Sequence, residues 1–219
     1  MGNLYTVATP IGNLDDITLR AIKTLKEVDL IACEDTRHTL KLLNHYDISK
    51  PLISYHQHSK VSKIDHLIEE LKAGKDIAIV TDAGTPGISD PGQVLISKAV
   101  EKGIRVIPIP GPSAVIAALS AAGVPTDAFI FLGFLPLKKG RKRIIESFKD
   151  EKRTIVLYES PHRIEKLLGE LKDVLEDRKI VVARELTKMF EEIIRGTVSE
   201  VQERLKIIKG EFVVIVSAK

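Results

Sequence analysis

The sequence predicts two α/β domains, the first with a parallel sheet and the second with a mixed sheet. Through the first half, short apolar runs alternate with segments whose apolar residues recur at helical spacing, which is typical of a parallel sheet covered by helices on both faces. In the second half, a single helical segment separates the last two strand-like runs, which indicates some antiparallel pairing. A proline-rich segment at 108–114 divides the halves, so we place the domains at residues 1–111 and 112–219.

The elements of the first domain follow one another in regular order. Apolar runs predict strands at residues 4–8, 29–33, 51–55, 77–80 and 105–107. Between them, apolar side chains at helical spacing predict four helices, marked by Ile17, Leu19, Ile22 and Leu25, by Leu40, Leu42 and Leu43, by Ile64, Leu67, Ile68 and Leu71, and by Val94, Leu95, Ala99 and Val100. Right-handed crossovers would bring the loops after the first four strands to one edge of the sheet.

The second domain is expected to begin with a helix over residues 113–122, whose first turn suits Pro112. The exposed N–H groups of that turn could meet an anionic ligand group, or the segment could simply be a helix start. Further strands are predicted at residues 129–132, 154–158, 180–183, 192–194 and 212–216. Helices are predicted around Ile144, around Leu167 and around Val201.

The composition of the sequence predicts the cellular location of the protein. None of its apolar runs approaches the roughly 20 residues of a membrane-spanning helix, and the N-terminus enters a strand without the features of a signal peptide. Cys33 is the single cysteine, which excludes an internal disulfide and a cysteine metal cluster. We therefore expect a cytoplasmic protein with no membrane partner.

The net charge of +3 is unevenly distributed, because the basic surplus lies in the second half of the chain. It is concentrated in the segment KKGRKR, residues 138–143, which we call the basic segment. Such a cluster can neutralise the phosphates of a nucleic acid, although a charged run is more often a solvated helix face. Charge alone leaves both interpretations open.

The segment around which the first domain is organised runs from Asp76 to Gly92. Residues 77–80 are a continuous apolar run, which is typical of a strand buried on both faces, and Thr81 and Asp82 end it with polar side chains. Three glycines and two prolines follow, so the backbone turns tightly and can approach a ligand. Ligands of open α/β sheets bind at the carboxyl ends of strands. The alternative is a rigid strand-to-helix turn with a capping aspartate.

Several common motifs are absent from the sequence. No Gly-x-Gly-x-x-Gly follows the first strand, no P-loop occurs, and no Gly-x-Ser-x-Gly nucleophile elbow is present, which argues against dinucleotide, nucleoside triphosphate and serine-hydrolase chemistry. His56 and His58 could ligate a metal, but two histidines at this spacing without a nearby cysteine or glutamate are a weak signal. We therefore predict no metal site.

Six sequence blocks together resemble one family. They are ATPIGNLDDI at 8–17, ACEDTR at 32–37, DAGTPGISDPG at 82–92, PGPSA at 110–114, YESPHR at 158–163 and RELTK at 184–188. Their content and order are similar to those of the ribosomal RNA small subunit methyltransferase I family, which belongs to the tetrapyrrole methylase superfamily of S-adenosylmethionine-dependent enzymes. The match covers almost the whole chain.

The resemblance implies a fold, a reaction and partners. It implies two α/β domains with S-adenosylmethionine in the cleft between them, and a homodimer. The implied reaction is methyl transfer to the ribose 2′-hydroxyl of a cytidine in the decoding region of 16S rRNA, so the partner would be that RNA or the small ribosomal subunit. Members often carry a C-terminal extension, whereas this sequence ends shortly after residues 212–216.

The resemblance also implies the site residues. The cofactor would contact Pro10, Asp82, Thr85, Gly87, Ser113, Ala114, Tyr158 and Leu186. A ribose hydroxyl is a weak nucleophile, so a base or a nearby cation is expected. The candidates are Glu34, Asp35, Arg37, Glu185 and Lys188, of which we select Glu34, Arg37 and Lys188. RNA phosphates would be met by Arg37, Lys138, Lys139, Arg141, His162 and Arg163.

Simpler roles remain open for several of these residues. Glu34 and Arg37 could form a structural ion pair, Tyr158 could be a packing residue, and His162 and Arg163 could simply be the start of a helix.

Two other functions of the protein also remain open. A relative of the same fold could methylate a tetrapyrrole or a modified protein histidine, although such enzymes usually have a Gly-x-Gly-x-Gly-Asp-like first loop that residues 9–13 lack. A module that binds S-adenosylmethionine or RNA without turnover would show no methyl incorporation.

Overall fold

A computed structural model describes residues 1–55, 61–176 and 178–219. His56 and His58, which we considered as metal ligands, lie outside the described residues. The chain divides into unit 1, Met1–Ser113, and unit 2, Ala114–Lys219. The boundary that we placed from the sequence, after residue 111, lies close to this division.

Unit 1 is built on a five-stranded sheet. In its described part the strands are β1 (Leu4–Val7), β2 (Leu30–Cys33), β3 (Leu52–Ser54), β4 (Ile77–Ile79) and β5 (Val106–Ile109). The helices described there are α1 (Leu19–Glu27), α2 (Thr36–His45), α3 (Val61–Lys72) and α4 (Gln93–Glu101), and a 3₁₀ turn covers Leu14–Asp16. The strand order is β3-β2-β4-β1-β5, and all neighbouring strands are parallel, as predicted.

Because the sheet is parallel, the carboxyl ends of its strands share one edge. Tyr5 in β1 stands opposite Ala78 in β4 and Ile107 in β5, and Ala78 stands opposite Ile31 in β2. The loops that follow β1, β2 and β4 therefore leave the sheet side by side. Pro108 is accommodated in β5 because this strand lies at the edge of the sheet, where the missing N–H costs little.

Both faces of this sheet are buried, which explains the unbroken apolar runs of its strands. On one face, Ile31 and Ala78 pack with Leu25 of α1 and Leu43 of α2. On the other, residues of α3 and α4 pack against the opposite side chains of the same strands: Leu4, Ala32, Leu67, Ile68, Leu71, Ile77, Ile79, Leu95 and Ala99. The predicted arrangement with helices on both faces is confirmed.

Helix α1 differs from the prediction at its start. We expected Leu19 on the buried side, but it is 86% exposed, whereas Leu25 is fully buried. The helix begins only at Leu19, with the Thr18 side chain accepting from the Ala21 N–H as its N-cap. The buried stripe is therefore Ala21, Thr24 and Leu25. Leu40, Val94 and Val100, which marked the helices α2 and α4 in the sequence, are likewise exposed.

Unit 2 contains the mixed sheet. In its described part the strands are β6 (Phe129–Phe134), β7 (Thr154–Glu159), β8 (Lys179–Arg184), β9 (Glu192–Thr197) and β10 (Phe212–Val216). The helices described there are α5 (Ala114–Ala122), α6 (Arg141–Ser147), α7 (Ile164–Leu175) and α8 (Val198–Arg204). The order is β6-β7-β10-β8-β9, with β6 and β7 parallel and the other pairs antiparallel. The predicted mixture is confirmed.

The core of unit 2 lies between one face of this sheet and helices α6, α7 and α8. Ile145 of α6, Leu171 of α7 and Val201 of α8 pack there against Val182 and Val214 of the central strands. Helix α5 contacts β10. In the described part of the chain, every helix is too short or too polar to cross a lipid bilayer.

Two leucines of α1 test this description of the core. Leu25→Ala is expected to lower the free energy of unfolding by about 2–5 kcal/mol, because it removes a fully buried side chain and leaves a cavity. Leu19→Ala, the same change in the same helix, should stay within about 0.5 kcal/mol of the wild type. Urea denaturation of both variants measures the difference, and equal destabilisation would contradict the observed helix start.

Candidate active site

The loops after β1 and β4 are joined by a short antiparallel bridge between Thr9 and Gly84. The Thr9 N–H donates to the Gly84 carbonyl at 2.9 Å, and the Gly84 N–H donates to the Thr9 carbonyl at 3.0 Å. Thr9 Oγ1 donates to the Thr81 carbonyl at 3.0 Å. These bonds hold Pro10, a predicted cofactor residue, beside the loop that carries Asp82.

The loop after β4 turns back on itself through glycine. Gly87 has φ +82° and donates its N–H to the Pro91 carbonyl at 3.2 Å. Gly92 has φ +142°, and a Cβ at this position would lie 3.0 Å from the Gly87 nitrogen. Thr85 Oγ1 donates to the Pro112 carbonyl at 3.3 Å, which connects the loop to the end of unit 1. The glycines are thus required by the backbone path itself.

The loops after β2 and β4 are joined through carboxylates. Asp82 Oδ1 accepts a hydrogen bond from the Asp35 N–H at 3.2 Å, and Glu34 Oε2 accepts from Thr81 Oγ1 at 3.2 Å. The structure therefore brings together three sequence-predicted site residues, Pro10, Glu34 and Asp82, at the carboxyl edge of the unit 1 sheet. Right-handed crossovers were expected to bring the loops after the first four strands to this edge.

Arg37 is paired with Asp35 and not with Glu34. Its Nη2 lies 2.9 Å and its Nε 3.2 Å from the Asp35 carboxylate oxygens. The same carboxylate accepts from the Arg37 N–H at 2.8 Å and so forms the N-cap of α2. These hydrogen bonds lower the pKa of Asp35 to about 2. The open alternative of a Glu34–Arg37 ion pair is wrong, and the Arg37 side chain is 88% exposed.

A small pocket that is open to solvent lies at this edge. We call it the Thr39 pocket; its walls are Thr9, Pro10, Leu14, His38, Thr39, Leu42, Thr81 and Asp82. Pro10 and Asp82 were predicted from the sequence. His38, Thr39 and Leu42 were missed because they lie within α2, where such residues carry no distinguishing sequence signal. Thr9, Leu14 and Thr81 were not selected as site residues.

The RELTK block of unit 2 forms a strained turn after β8. Glu185 has φ +51° and Thr187 has φ +66°, which is unusual for residues other than glycine. Lys188 Nζ lies 2.9 Å from Glu185 Oε1 and 2.8 Å from Glu211 Oε2. Burial alone would lower the pKa of Lys188, but the hydrogen bonds and charges of Glu211 and Glu185 outweigh it and raise the pKa. Lys188 is therefore held as a cation.

Tyr158 and Leu186 are the two predicted cofactor residues that lie well inside unit 2. The Tyr158 ring packs against Phe131 at 4.9 Å and Phe134 at 5.6 Å between ring centroids. Leu186 is buried in the turn between Glu185 and Thr187. Ser113 ends unit 1 and Ala114 begins α5 and unit 2. For all four, cofactor contact stays a prediction.

Arg141 does not share the exposed position of the rest of the basic segment. It is only 4% exposed. Its Nε lies 2.8 Å from Glu170 Oε2, and its Nη2 lies 3.5 Å from Glu159 Oε2. Arg163 Nη2 also binds Glu159, at 2.7 Å from Oε1. The prediction that Arg141 contacts RNA is therefore wrong, because its buried guanidinium pairs with the buried carboxylate of Glu159 and the partly exposed one of Glu170.

The remaining predicted RNA contacts stay available at the surface. Lys138, Lys139 and His162 are exposed, whereas Arg163 is partly buried by its ion pair with Glu159. The Arg163 guanidinium also lies 5.9 Å from the centroid of the exposed Phe134 ring. Within the part of the chain that the structure describes, no group of three or more His, Cys, Asp or Glu residues is arranged to hold a metal ion.

This combination of fold and loops matches a known class of enzymes. The family model of tetrapyrrole (corrin/porphyrin) methylases matches residues 3–202, and the chain belongs to that family. A solved structure of uroporphyrin-III C-methyl transferase from Thermus thermophilus, complexed with S-adenyl homocysteine, has a TM-score of 0.68 at 18% identity. The match covers 99% of this chain and 97% of that one, which shows the shared fold.

Curated relatives identify the branch of the family. A ribosomal RNA small subunit methyltransferase I from Halalkalibacterium halodurans is 53% identical over 98% of this chain and 75% of its own length. A protein of the same name from Thermotoga maritima is 48% identical over 100% of both chains. Within the tetrapyrrole methylases, the chain therefore belongs to the ribosomal RNA small subunit methyltransferase I group, and the resemblance read from the six blocks is confirmed. The Thermotoga maritima relative is matched without any extension beyond this chain.

The Asp35–Arg37 pair gives a testable pH dependence. Because the folded pKa of about 2 lies below the ordinary value of about 3.9, the pair's contribution to stability is present above pH 4 and is lost as the pH falls towards 2. Arg37→Ala should move the pKa of Asp35 back up towards its ordinary value. Carboxyl-carbon NMR titration of wild type and variant measures this shift, and an unchanged pKa in the variant would disprove the cause.

Because Arg141 is buried, we expect its replacement to destabilise unit 2. Arg141→Gln should lower the free energy of unfolding by about 1.5–3 kcal/mol, because it removes a charged partner of the buried Glu159 carboxylate, which keeps its pair with Arg163. Lys142→Gln, the neighbouring exposed position, should change it by less than about 0.5 kcal/mol. Urea denaturation compares the two. If both variants unfold like the wild type, the carboxylate network does not stabilise unit 2.

Proposed function

We propose that this chain transfers a methyl group from S-adenosylmethionine to the ribose 2′-hydroxyl of a cytidine in the decoding region of 16S rRNA. One observation carries the proposal: hydrogen bonds fix Pro10, Glu34 and Asp82 at the carboxyl edge of a parallel sheet, in a chain of the ribosomal RNA small subunit methyltransferase I group. Asp82, beside the glycine-rich loop, provides a binding group, and Glu34 provides a proton acceptor.

The residues of unit 1 fit the cofactor. Asp82 uses Oδ1 for the Asp35 N–H, and a carboxylate has further acceptor positions for an ammonium or hydroxyl group. The loop from Thr85 to Gly92 turns tightly at Gly87 and Gly92, which both have a positive φ. When bound, S-adenosylmethionine supplies a methyl group that is already activated by the sulfonium. Pro10, Asp82, Thr85 and Gly87 would hold it.

Electrostatics distinguishes the candidates for the general base. Asp35 has a pKa of about 2 and is engaged by Arg37, so it is a weak base. Burial alone would raise the pKa of Glu185, but hydrogen bonds from Lys188 and the Glu211 N–H outweigh it and lower the pKa. Lys188 and Arg37 are cations. Glu34 is the candidate that remains.

Glu34 is placed to accept a proton. Thr81 Oγ1 orients the carboxylate through Oε2, and among the described residues no hydrogen bond reaches Oε1. In the proposed step, Glu34 accepts the proton of the 2′-hydroxyl while the ribose oxygen bonds to the methyl carbon and the carbon–sulfur bond breaks. The products are a 2′-O-methyl ether and S-adenosylhomocysteine. The chain must mainly align the hydroxyl and exclude water.

The surface charges support an RNA partner. Lys138, Lys139 and His162 of unit 2 are exposed, and Arg37 of unit 1 is exposed at the active-site edge. Cations in these positions can pair with phosphates without reading the sequence. The homodimer and the cytoplasmic location that the sequence led us to expect remain part of this proposal.

The test is transfer of labelled methyl from S-adenosylmethionine to small ribosomal subunits from cells that lack this protein. The wild type should label the ribose of a single decoding-region cytidine, located by nuclease mapping. Glu34→Gln should lower kcat by about 100-fold or more while leaving S-adenosylmethionine affinity unchanged, because it removes the base and keeps the shape of the side chain. Glu27→Gln, at an exposed carboxylate of α1, is the matched control and should act like the wild type.

The outcomes separate the parts of this proposal. If the wild type binds the cofactor but leaves the subunits unlabelled, the RNA assignment is wrong, and tetrapyrroles are the next substrates to assay. If the subunits are labelled on a base, the ribose assignment is wrong. If Glu34→Gln keeps full kcat, another group takes the proton.

A further inference from the structure

We propose that Phe134 stacks against an unpaired base of the RNA substrate, on a surface of unit 2 that we call the Phe134 surface. Its members are Phe134, Leu137, Lys138, Lys139, His162 and Arg163. The inference rests on the RNA substrate of the proposed function and deepens it, because it specifies a contact with a base in addition to those with phosphates.

Phe134 is the last residue of β6, and neighbouring side chains hold its ring. It stands opposite Tyr158 in β7, and the centroids of the two rings lie 5.6 Å apart. The central carbon of the Arg163 guanidinium lies 5.9 Å from the centroid of the Phe134 ring, within the range of a cation–π contact. Phe134 is nevertheless 53% exposed. A large aromatic side chain is therefore presented to solvent in an orientation that its neighbours support.

The guanidinium beside this ring is itself fixed. Arg163 Nη2 lies 2.7 Å from Glu159 Oε1, and its Nε donates to Ser160 Oγ at 3.3 Å. The Arg163 side chain remains 21% exposed. RNA-binding proteins stack unpaired bases on aromatic rings and on guanidinium planes alike. The ring and the guanidinium together offer a preorganised surface for a base, which lowers the entropy cost of binding.

The loop between β6 and α6, residues 135–140, is anchored at both ends close to the exposed ring. At its start, the Leu135 carbonyl accepts a hydrogen bond from Arg163 Nη1 at 3.2 Å. After its end, Arg141 pairs with the Glu159 carboxylate that Arg163 also binds. The two exposed lysines of this loop are therefore kept on the same part of unit 2 as the ring.

The charge of the Phe134 surface indicates the partner. Residues 134–140 and 160–163 contain lysine, histidine and arginine but no aspartate or glutamate. Cations beside an exposed aromatic ring are the combination that binds single-stranded nucleic acid, because the cations neutralise phosphates while the ring stacks on a base. A two-fold contact with a second copy, centred on this ring, would instead bring like charges together, which is unfavourable.

The aromatic ring also favours a single strand over a duplex. In a duplex the bases are paired and stacked on one another, so a side chain cannot stack on them without first separating them. Lysines alone would bind the phosphates of either form. We therefore expect the Phe134 surface to prefer RNA whose bases are unpaired.

The experiment measures the affinity of the whole protein for a fluorescent single-stranded RNA oligonucleotide of decoding-region sequence, by fluorescence anisotropy at several salt concentrations. Phe134→Leu removes the aromatic ring but stays apolar, and Phe134→Tyr keeps a ring. Phe129→Leu is the matched control, because Phe129 is an exposed phenylalanine at the other end of β6. A double variant, Lys138→Gln with Lys139→Gln, removes two charges. Sedimentation velocity gives the oligomeric state of each protein.

Phe134→Leu should weaken binding by about 5-fold or more, as expected for the loss of one stacked base. It should leave the slope of log affinity against log salt concentration unchanged, because the ring carries no charge. The double lysine variant should instead reduce the magnitude of that slope by about 1.4, as expected for two lost phosphate contacts to a single strand. Phe134→Tyr and Phe129→Leu should bind within about 2-fold of the wild type.

Three results would overturn the inference. If Phe134→Leu binds the oligonucleotide as tightly as the wild type, or if the wild type does not bind it, the ring does not stack on RNA. If Phe134→Leu reduces the salt slope as the double lysine variant does, the substitution has disturbed the loop and no stacking has been measured. If Phe134→Leu converts a dimer into monomers, the ring contacts a second copy of the chain.

Methyl transfer to small ribosomal subunits tests the proposed function separately. If the wild type labels the ribose while Phe134→Leu binds RNA normally, only the stacking inference fails. If Phe134→Leu loses RNA affinity as expected while the wild type leaves the subunits unlabelled, only the proposed methyl transfer fails.

Discussion

Hydrogen bonds between loops hold the candidate active site together. A parallel sheet brings the carboxyl ends of its strands to one edge, but it does not fix the loops that follow them. The exchange of hydrogen bonds between Thr9 and Gly84 joins the loops after β1 and β4, and the Asp35 N–H joins the loop after β2 to Asp82. Glu34 is placed by the same system, through Thr81. The positions of the predicted cofactor residues and of the proposed base therefore depend on these few bonds.

Neighbouring carboxylates acquire different roles from their surroundings. Asp35 accepts the Arg37 N–H and pairs with its guanidinium, so it caps α2 and stays ionised to low pH. Glu34, one residue earlier, points its Oε2 to a neutral hydroxyl of Thr81 instead. A carboxylate that is hydrogen-bonded by a cation is favoured in its charged form, so it is a weaker base. Asp35 therefore has a structural role, whereas Glu34, one residue earlier in the chain, is the proposed catalytic base.

The fold could be predicted from the sequence wherever one pattern dominated. In α3, the spacing of Ile64, Leu67, Ile68 and Leu71 predicted a helix, and these four residues form its buried stripe. In α1 the same reasoning failed at Leu19, since periodicity locates a stripe but not the residue at which the helix begins. The N-cap hydrogen bond of Thr18 decides that start, and a threonine at this position is not distinctive in sequence.

The placement of candidate site residues could be predicted where chain order alone determined it, as for Glu34 and Asp82 at the ends of β2 and β4. Arg141 shows why the rest could not. Its neighbours in the basic segment are charged and exposed, and nothing local distinguishes it from them. Its burial depends on Glu159 in β7 and Glu170 in α7, which only the tertiary fold brings within reach. Because removing one partner of a buried ion pair is costly, Arg141 fixes the start of α6 to the sheet. The lysines beside it then stay at the surface, where an RNA phosphate can reach them.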